Sequence, residues 1–184
     1  IYVWFDALIN YYTAGKKTGF WDEETNIIHV LGKDNTRWHT LLWPAMLKSA
    51  GLRLPNTTIN HSFLTLEGRK ISKTLGNIIR PTELTQKYGV DAVRYYLLRF
   101  GPLFDDADIS IKRLEEVYNS DLANNLGNLV SRVAKLCETS DANFKKGGAL
   151  KFHKSINDAL KTYRVDLALQ NFFKTKIKLA NEYI

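Results

Sequence analysis

Two lysines and a serine form the stretch of this chain with the clearest chemical potential. The run Lys-Ile-Ser-Lys-Thr supplies Lys70, Ser72 and Lys73. A lysine ammonium is a point charge on a flexible stem, which suits the phosphates of a nucleoside triphosphate. Gly68 and Gly76 flank the run and permit backbone conformations that other residues resist. The same residues also fit a solvated basic turn, so the neighbouring elements must decide between the two interpretations.

A strand, a turn and a helix precede this basic loop. Residues 26–31 are apolar enough for a buried strand of a parallel sheet, and residues 36–50 are predicted to form a helix. Ligands of open α/β sheets bind outside the carboxyl ends of the strands. Asp34 and His39 fall at that end and are therefore candidate ligand-binding residues. A second strand, residues 59–66, leads directly into the basic loop.

A helix is predicted to begin near Asp6, after a β-prone start of the chain. Trp4, Ala7, Leu8 and Tyr11 fall at helical spacing and line one face of it. Such a face is either an ordinary core face or the wall of a pocket, and spacing alone leaves both interpretations open.

Ser110 is predicted to cap a long amphipathic helix. Its apolar stripe consists of Ile111, Leu114, Val117, Leu122, Leu126, Leu129, Val133 and Leu136. On another face, Asn124, Asn128 and Arg132 follow one another at intervals of one turn. Two amides and a guanidinium in this arrangement suit unpaired bases of RNA, although a solvated polar face has the same pattern.

Composition and charge indicate a soluble globular protein with a polyanionic partner. The 184 residues carry a net charge of +7, and residues 145–184 hold nine Lys or Arg against three Asp or Glu. This basic end favours nucleic acid over an acidic membrane. The single Cys137 excludes an intramolecular disulfide and a thiolate zinc cluster. No apolar run approaches the roughly 20 residues of a membrane span.

The motifs in chain order resemble the methionyl-tRNA synthetases, a family of class I aminoacyl-tRNA synthetases. Lys-Ile-Ser-Lys-Thr at residues 70–74 resembles the class I signature KMSKS, with Ile71 for Met and Thr74 for the last Ser. The other matching segments are residues 2–11, residues 32–34 with 38–39 and 42–46, residues 89–97 and residues 121–129.

The resemblance implies an α/β Rossmann-like fold, as the C-terminal half of a class I nucleotide-binding fold, followed by an all-α helical bundle that binds the anticodon. Residues 1–78 would belong to the catalytic domain with its signature loop. Residues 79–109 would form a connecting helical segment that contacts the tRNA stem, and residues 110–184 an incomplete anticodon-binding domain.

The resemblance also implies a role for each candidate residue. Methionine would be enclosed by Trp4, Ala7, Leu8, Tyr11 and His39. The nucleoside of ATP would contact Gly32 and Asp34. Pyrophosphate departure would be assisted by Lys70, Ser72 and Lys73, with Mg²⁺ accompanying ATP and no zinc ligands in this chain. The CAU anticodon of tRNA(Met) would be read by Asn124, Asn128 and Arg132.

Two departures from the family pattern limit these expectations. The HIGH signature, which belongs to the first half of the nucleotide-binding fold, does not occur in the sequence, and residues 183–184 end it short of the Pro-Trp that the family places next. We therefore expect this stretch by itself to bind ATP poorly and to leave tRNA uncharged. We further expect a monomer without membrane association. The basic, Lys- and Asn-rich character favours the mitochondrial matrix, with a bacterial cytoplasm as the alternative.

Three other interpretations remain open at the level of sequence. The first is another class I synthetase, for leucine, valine, isoleucine or cysteine, although branched side chains would not need aromatic walls. The second is a non-catalytic tRNA-binding paralogue whose basic loop is a relic. The third is a nucleotidyltransferase with no tRNA partner, which leaves the row of Asn124, Asn128 and Arg132 unexplained.

Overall fold

The computed structural model describes residues 3–71, 76–141, 147 and 151–184. The chain divides into two units, Ile1–Phe63 and Leu64–Ile184.

The first unit contains a parallel pair of strands connected through a helix. Helix α1 spans Val3–Thr18, strand β1 Ile28–Gly32, helix α2 Trp43–Ser49 and strand β2 Thr57–His61. Strands β1 and β2 pair in parallel, with Ile28 opposite Thr57 and Gly32 opposite His61. The predicted strand, helix and parallel arrangement are confirmed in this unit.

Helix α1 begins earlier than the sequence pattern indicates. The β-prone start is wrong for residues 3–5, which are helical. Trp4 packs against the core of the unit and Leu8, four positions later, is fully buried within it. Residues four apart share a helix face, so packing of both side chains outweighs the local strand preference.

The helical region after β1 changes its hydrogen-bonding pattern along its length. A short 3₁₀ turn covers Lys33–Asn35, a π-helical turn covers Trp38–Leu42, and α2 follows. Pro44 lies in the first turn of α2. Proline has no backbone N–H, so the continuous helical region lacks one internal hydrogen bond here, directly after the π-helical turn.

The core of the first unit is built largely from tryptophan and leucine. Leu8, Trp21, Trp43 and Leu47 form the buried cluster. Leu8 of α1 and Leu47 of α2 are at most 1% exposed, so the two helices are tightly packed through this cluster.

The second unit begins with a three-stranded sheet. Strand β3 spans Leu64–Leu66, β4 Arg69–Lys70 and β5 Ala107–Ile109. Strand β3 lies in the middle, antiparallel to β4 and parallel to β5. The single strand predicted over residues 59–66 is therefore wrong: it is interrupted after His61, and its two halves pair in different sheets.

Helices make up the remainder of the described second unit. They are α3 Pro81–Tyr88, α4 Val90–Phe100, α5 Ile111–Val117, α6 Asn128–Thr139, α7 Lys154–Lys161, α8 Val165–Phe172 and α9 Lys178–Tyr183. A π-helical segment, Tyr118–Gly127, joins α5 to α6, and another, Phe173–Ile177, joins α8 to α9. The long helix predicted from Ser110 onward is confirmed, and the Ser110 Oγ accepts a hydrogen bond from the Arg113 N–H at 3.1 Å.

The apolar stripe of that long helix is only partly buried. Leu114 and Leu129 are 2% and 8% exposed, whereas Val133 and Leu136 are 39% and 54% exposed. The stripe therefore contributes to the core at Leu114 and Leu129, and it lies on the surface at Ile111 and beyond Leu129. No helix among the described residues combines the length and apolar character required to cross a bilayer.

Candidate active site

Three aromatic side chains of the first unit meet next to strand β1. The ring of His39, in the π-helical turn, lies 5.8 Å from the ring of Trp4 and 5.6 Å from the ring of Tyr11. Trp38 stacks on Trp4, with centroids 5.9 Å apart and planes at 11°. The structure thus brings together three of the five residues predicted to enclose a side chain.

His39 is held in one orientation by hydrogen bonds at both ring nitrogens. Its Nδ1 lies 3.0 Å from the carbonyl oxygen of Asn35, and its Nε2 lies 3.0 Å from the Tyr11 hydroxyl. A carbonyl only accepts, so Nδ1 carries a proton and donates it, and Nε2 accepts from the Tyr11 O–H. With 4% of its surface exposed, His39 is a rigid part of the aromatic wall.

The other two predicted members of the wall are placed differently. Leu8 is fully buried in the core cluster with Trp21 and Trp43, and Trp4 of the wall packs against this cluster. Ala7 lies on the exposed side of α1. Direct contact of Leu8 or Ala7 with a ligand stays a prediction.

His29 belongs to the same aromatic group and was not predicted from the sequence. It lies on β1 with its ring 4.7 Å from Tyr11 and 6.0 Å from His39, and it is 7% exposed. Burial, followed by the proximity of His39, lowers the pKa of His29. Among the described residues its Nε2 has no hydrogen-bond partner. No local signal indicated this burial, because alternation along β1 would have placed the apolar Ile28 and Val30 inward, whereas both are exposed and His29 is buried.

The predicted nucleotide contacts Gly32 and Asp34 adjoin each other at the end of β1. Asp34 lies in the exposed 3₁₀ turn, and a Cβ on Gly32 would come within 2.7 Å of its Oδ1. Only glycine leaves room for the carboxylate in this position. His61, at the matching end of β2, is also close, because its Cε1 would lie 3.7 Å from the same Cβ. Gly32, Asp34 and His61 therefore share the carboxyl edge of the parallel pair.

In the second unit, the basic signature begins inside a β-hairpin. Lys70 pairs with Thr65 across β3 and β4, and the turn between the strands is formed by Glu67 and Gly68, both with positive φ. Ile71 packs on the buried cluster of Tyr96, Ile109 and Leu114.

The signature residues with predicted catalytic roles lie at the edge of the described part of the chain or outside it. Ser72 and Lys73 lie outside the described residues, and of Lys70 the backbone alone is described. Their predicted catalytic roles stay predictions.

The predicted anticodon-reading residues all lie on the exposed surface of the long helix. Asn128 and Arg132 are in α6, whereas Asn124 is in the π-helical segment, whose wider turn changes its angular position relative to the other two. The adjacent Asn125 is engaged internally, because the Asn181 amide donates to its Oδ1 at 3.0 Å. The exposed side chains are available to an external partner.

No group of three or more His, Cys, Asp or Glu side chains within residues 3–71, 76–141, 147 and 151–184 is arranged to hold a metal ion.

Comparison with known proteins identifies the family. The family model described as tRNA synthetases class I (M) matches residues 1–134. The methionine–tRNA ligase of Fusobacterium nucleatum is 47% identical over 138 residues, covering 71% of this chain and 22% of that protein. The chloroplastic/mitochondrial methionine–tRNA ligase of Arabidopsis thaliana is 44% identical over 152 residues, covering 76% of this chain and 25% of that protein.

A solved structure agrees with these relatives over nearly the whole chain. Mycobacterium tuberculosis methionyl-tRNA synthetase bound by methionyl-adenylate superposes with a TM-score of 0.82 at 33% identity, covering 99% of this chain and 39% of that one. The chain thus spans a quarter or less of the two curated relatives described above. The signature, the aromatic wall and these matches agree. The chain belongs to the methionyl-tRNA synthetase family of class I aminoacyl-tRNA synthetases.

Proposed function

We propose that the protein carrying this chain is a methionine–tRNA ligase. It activates L-methionine with ATP and transfers the methionyl group to tRNA(Met) for translation. The observation that carries the proposal is the wall of Trp4, Tyr11 and His39 next to strand β1. Family membership and the likeness to a structure bound by methionyl-adenylate support it.

The aromatic wall suits a thioether. Sulfur makes favourable contacts with the edges and faces of aromatic rings, and the unbranched methionine side chain adapts to the space between them. The Tyr11 hydroxyl and the His39 ring satisfy each other, so neither presents an unpaired polar group to an apolar ligand. Leucine and isoleucine gain no sulfur contact from such a wall, and cysteine is too short to reach across it.

The reaction needs positioning and charge stabilisation more than a nucleophilic side chain. A carboxylate oxygen of methionine attacks the α-phosphorus of ATP, and the bond to the β-phosphate oxygen breaks, so that pyrophosphate leaves with the electron pair. We assign Gly32 and Asp34 to the nucleoside. We assign Lys70, Ser72 and Lys73 to the departing phosphates. The two lysines neutralise the phosphate charge together with Mg²⁺ bound to ATP.

The second step transfers the methionyl group to RNA. A ribose hydroxyl at the 3′ end of tRNA attacks the carbonyl carbon, and AMP leaves. We propose that Asn124, Asn128 and Arg132 contact the anticodon, because all three are exposed hydrogen-bonding side chains on one long helix. The net charge of +7 favours association with the tRNA backbone.

The proposed organisation follows from these roles. Residues 1–78 form the second half of a Rossmann-like catalytic domain, residues 79–109 a connecting segment that contacts the tRNA stem, and residues 110–184 the beginning of an anticodon-binding helical bundle. We propose that the protein acts as a monomer. Its relatives include a chloroplastic/mitochondrial protein, which supports the mitochondrial matrix as one location, with a bacterial cytoplasm as the other.

The decisive experiment is amino-acid-dependent exchange of pyrophosphate into ATP, measured with the full-length protein. We expect exchange with methionine and little with leucine, isoleucine, valine or cysteine. Exchange supported by leucine or cysteine in the absence of activity with methionine would reject the proposal. Absence of exchange with every amino acid, together with retained tRNA binding, would favour the non-catalytic paralogue.

A further inference from the structure

A row of three residues crosses the small sheet of the second unit and ends at the basic signature. Thr65 on the central strand β3 is in register with Lys70 on β4 and with Asp108 on β5. The neighbouring position on β5, Ile109, is buried in the core, whereas Asp108 is exposed. Side chains alternate between the faces of a strand, so Asp108 lies on the face of the sheet opposite the core.

The carboxylate of Asp108 joins β5 to the hairpin in two places. Its Oδ1 accepts a hydrogen bond from the Thr65 hydroxyl at 2.7 Å and another from the Gly68 N–H at 2.6 Å. Gly68 is the second residue of the turn that leads into β4, with φ of 73°. A bond to this amide therefore defines where the turn ends and where the signature strand starts.

The bonds favour the ionised carboxylate. The Gly68 N–H, the Thr65 hydroxyl and the nearby Arg113 guanidinium hold the pKa of Asp108 below its ordinary value. Hydrogen bonds to an ionised acceptor are stronger than neutral ones, so the anchor is present at neutral pH.

Asp108 is itself fixed by the beginning of the long helix. It lies two residues before the cap Ser110, and the Arg113 guanidinium is 3.5 Å from its carbonyl oxygen. Arg113 also lies over the ring of Phe100 on α4, 5.4 Å from its centroid. The backbone of Asp108 is therefore held by two contacts, the hydrogen bond from Arg113 at the start of the helix and the pairing of β5 with β3 in the sheet.

We propose that Asp108 is a positioning residue for adenylate formation: its carboxylate sets the β3–β4 turn and so the starting point of the signature at Lys70. This inference rests on the proposed function. Asp108 acts through Gly68 and the backbone of β4, and not through contact with a substrate. No local pattern indicates this role, because residues 101–108 have only the composition of an acidic turn.

The test compares three substitutions in the full-length enzyme. Asp108→Ala removes both bonds, Thr65→Val removes one, and Asp108→Asn retains an oxygen that accepts both. A small misplacement near reacting groups costs up to about 100-fold in rate. We expect about a 10- to 100-fold lower kcat for methionine-dependent pyrophosphate exchange in Asp108→Ala. Thr65→Val should lower kcat less, because a single hydrogen bond makes only a modest net contribution. In Asp108→Asn we expect kcat to stay within about 3-fold of wild type, because both hydrogen bonds can still form.

Two further measurements separate positioning from general destabilisation. The Kd for methionine, followed by tryptophan fluorescence, is expected to stay within about 2-fold of wild type, because the aromatic wall is in the other unit. Hydrogen exchange of the Gly68 amide is expected to accelerate in Asp108→Ala and to stay slow in Asp108→Asn. Asp158→Ala, on the exposed face of α7, is the matched control and should change none of these quantities.

The outcomes distinguish this inference from the proposed function. Wild-type kcat in Asp108→Ala, or equal losses in Asp108→Ala and Asp108→Asn, would overturn the inference while leaving methionine-dependent exchange intact. Failure of the wild-type enzyme to exchange with methionine would reject the proposed function, and the Gly68 amide would still test the anchor. If Asp108→Ala does not fold, Thr65→Val decides, with an unchanged kcat counting against the proposal.

Discussion

The Tyr11 hydroxyl donates a hydrogen bond to Nε2 of His39 across 3.0 Å, and this contact joins α1 to the π-helical turn that follows β1. The two residues are 28 positions apart in the chain. Because His39 is also fixed at Nδ1 by the Asn35 carbonyl, the Tyr11 hydroxyl completes the hydrogen bonding of a buried ring. It thereby defines one side of the proposed methionine pocket.

Replacing Tyr11 by Phe should weaken methionine use. The ring remains, but Nε2 of His39 loses its partner inside the wall. A hydrogen bond of this kind contributes about 1 kcal/mol net, so we expect the KM for methionine in pyrophosphate exchange to rise about 3- to 10-fold, with the KM for ATP nearly unchanged. Tyr12→Phe is the matched control, because within the described residues the Tyr12 ring packs on Trp21 and its hydroxyl has no observed partner. Equal effects of the two substitutions would remove the basis for this role of Tyr11.

Replacing Gly32 by Ala should impair ATP use. The added Cβ would lie 2.7 Å from Oδ1 of Asp34 and must displace that carboxylate. Because displacement of a binding group reduces binding of its ligand, we expect the KM for ATP to rise about 10-fold. The Kd for methionine should change little. Gly147→Ala has open space around the new carbon and serves as the control. An unchanged KM for ATP in Gly32→Ala would argue against Asp34 as a nucleoside contact.

The buried His29 should make stability depend on pH. Because the folded protein holds the pKa of His29 below its ordinary value of 6.5, the unfolded chain takes up the proton first as the pH falls. The free energy of unfolding is therefore highest above about pH 6.5 and decreases below it. Urea unfolding between pH 5 and pH 8 would measure this, and His29→Phe should have a shallower decrease than wild type. His153→Gln, at an exposed helix cap, should retain the wild-type slope; a wild-type slope in His29→Phe would refute the assignment.

Replacing Lys73 by Ala should slow adenylate formation far more than it weakens methionine binding. Removing a group that stabilises developing charge costs about 100- to 1,000-fold in rate, and we expect a loss of this order in pyrophosphate exchange. Fluorescence titration with methionine should give a nearly unchanged Kd. Parallel losses in rate and in affinity would indicate that Lys73 has a structural role.

Replacing Arg132 by Ala should affect tRNA and leave the first reaction intact. A lost contact to a base costs about 1 to 3 kcal/mol, so we expect tRNA(Met) charging to fall about 10-fold or more while pyrophosphate exchange remains near wild type. Lys135→Ala is a suitable control on the same helix, since Lys135 pairs with Glu138 at 3.5 Å. A comparable drop in exchange by Arg132→Ala would show that the residue does not act through the anticodon.

Many elements of this protein could be predicted from local sequence. The buried strand near residues 26–31 and the cap at Ser110 both follow from patterns within one or two turns of chain. Each depends on periodicity or on the backbone preference of a single residue, and both are visible in the sequence. The motifs at Trp4, Tyr11, His39 and residues 70–74 likewise identified the family in their chain order.

Other features depended on partners far apart in the chain. His29 became part of the aromatic group because α1 and the π-helical turn close over β1. The predicted strand 59–66 was divided because its two halves found partners in β1 and in β5. Asp108 reached Gly68, 40 positions away, only through the pairing of β5 with β3. The sequence by itself determined the family and most of the helices, and it predicts the chemistry of the site. The tertiary structure decided which side chains meet, because strand pairing and helix packing are long-range choices that no local pattern encodes.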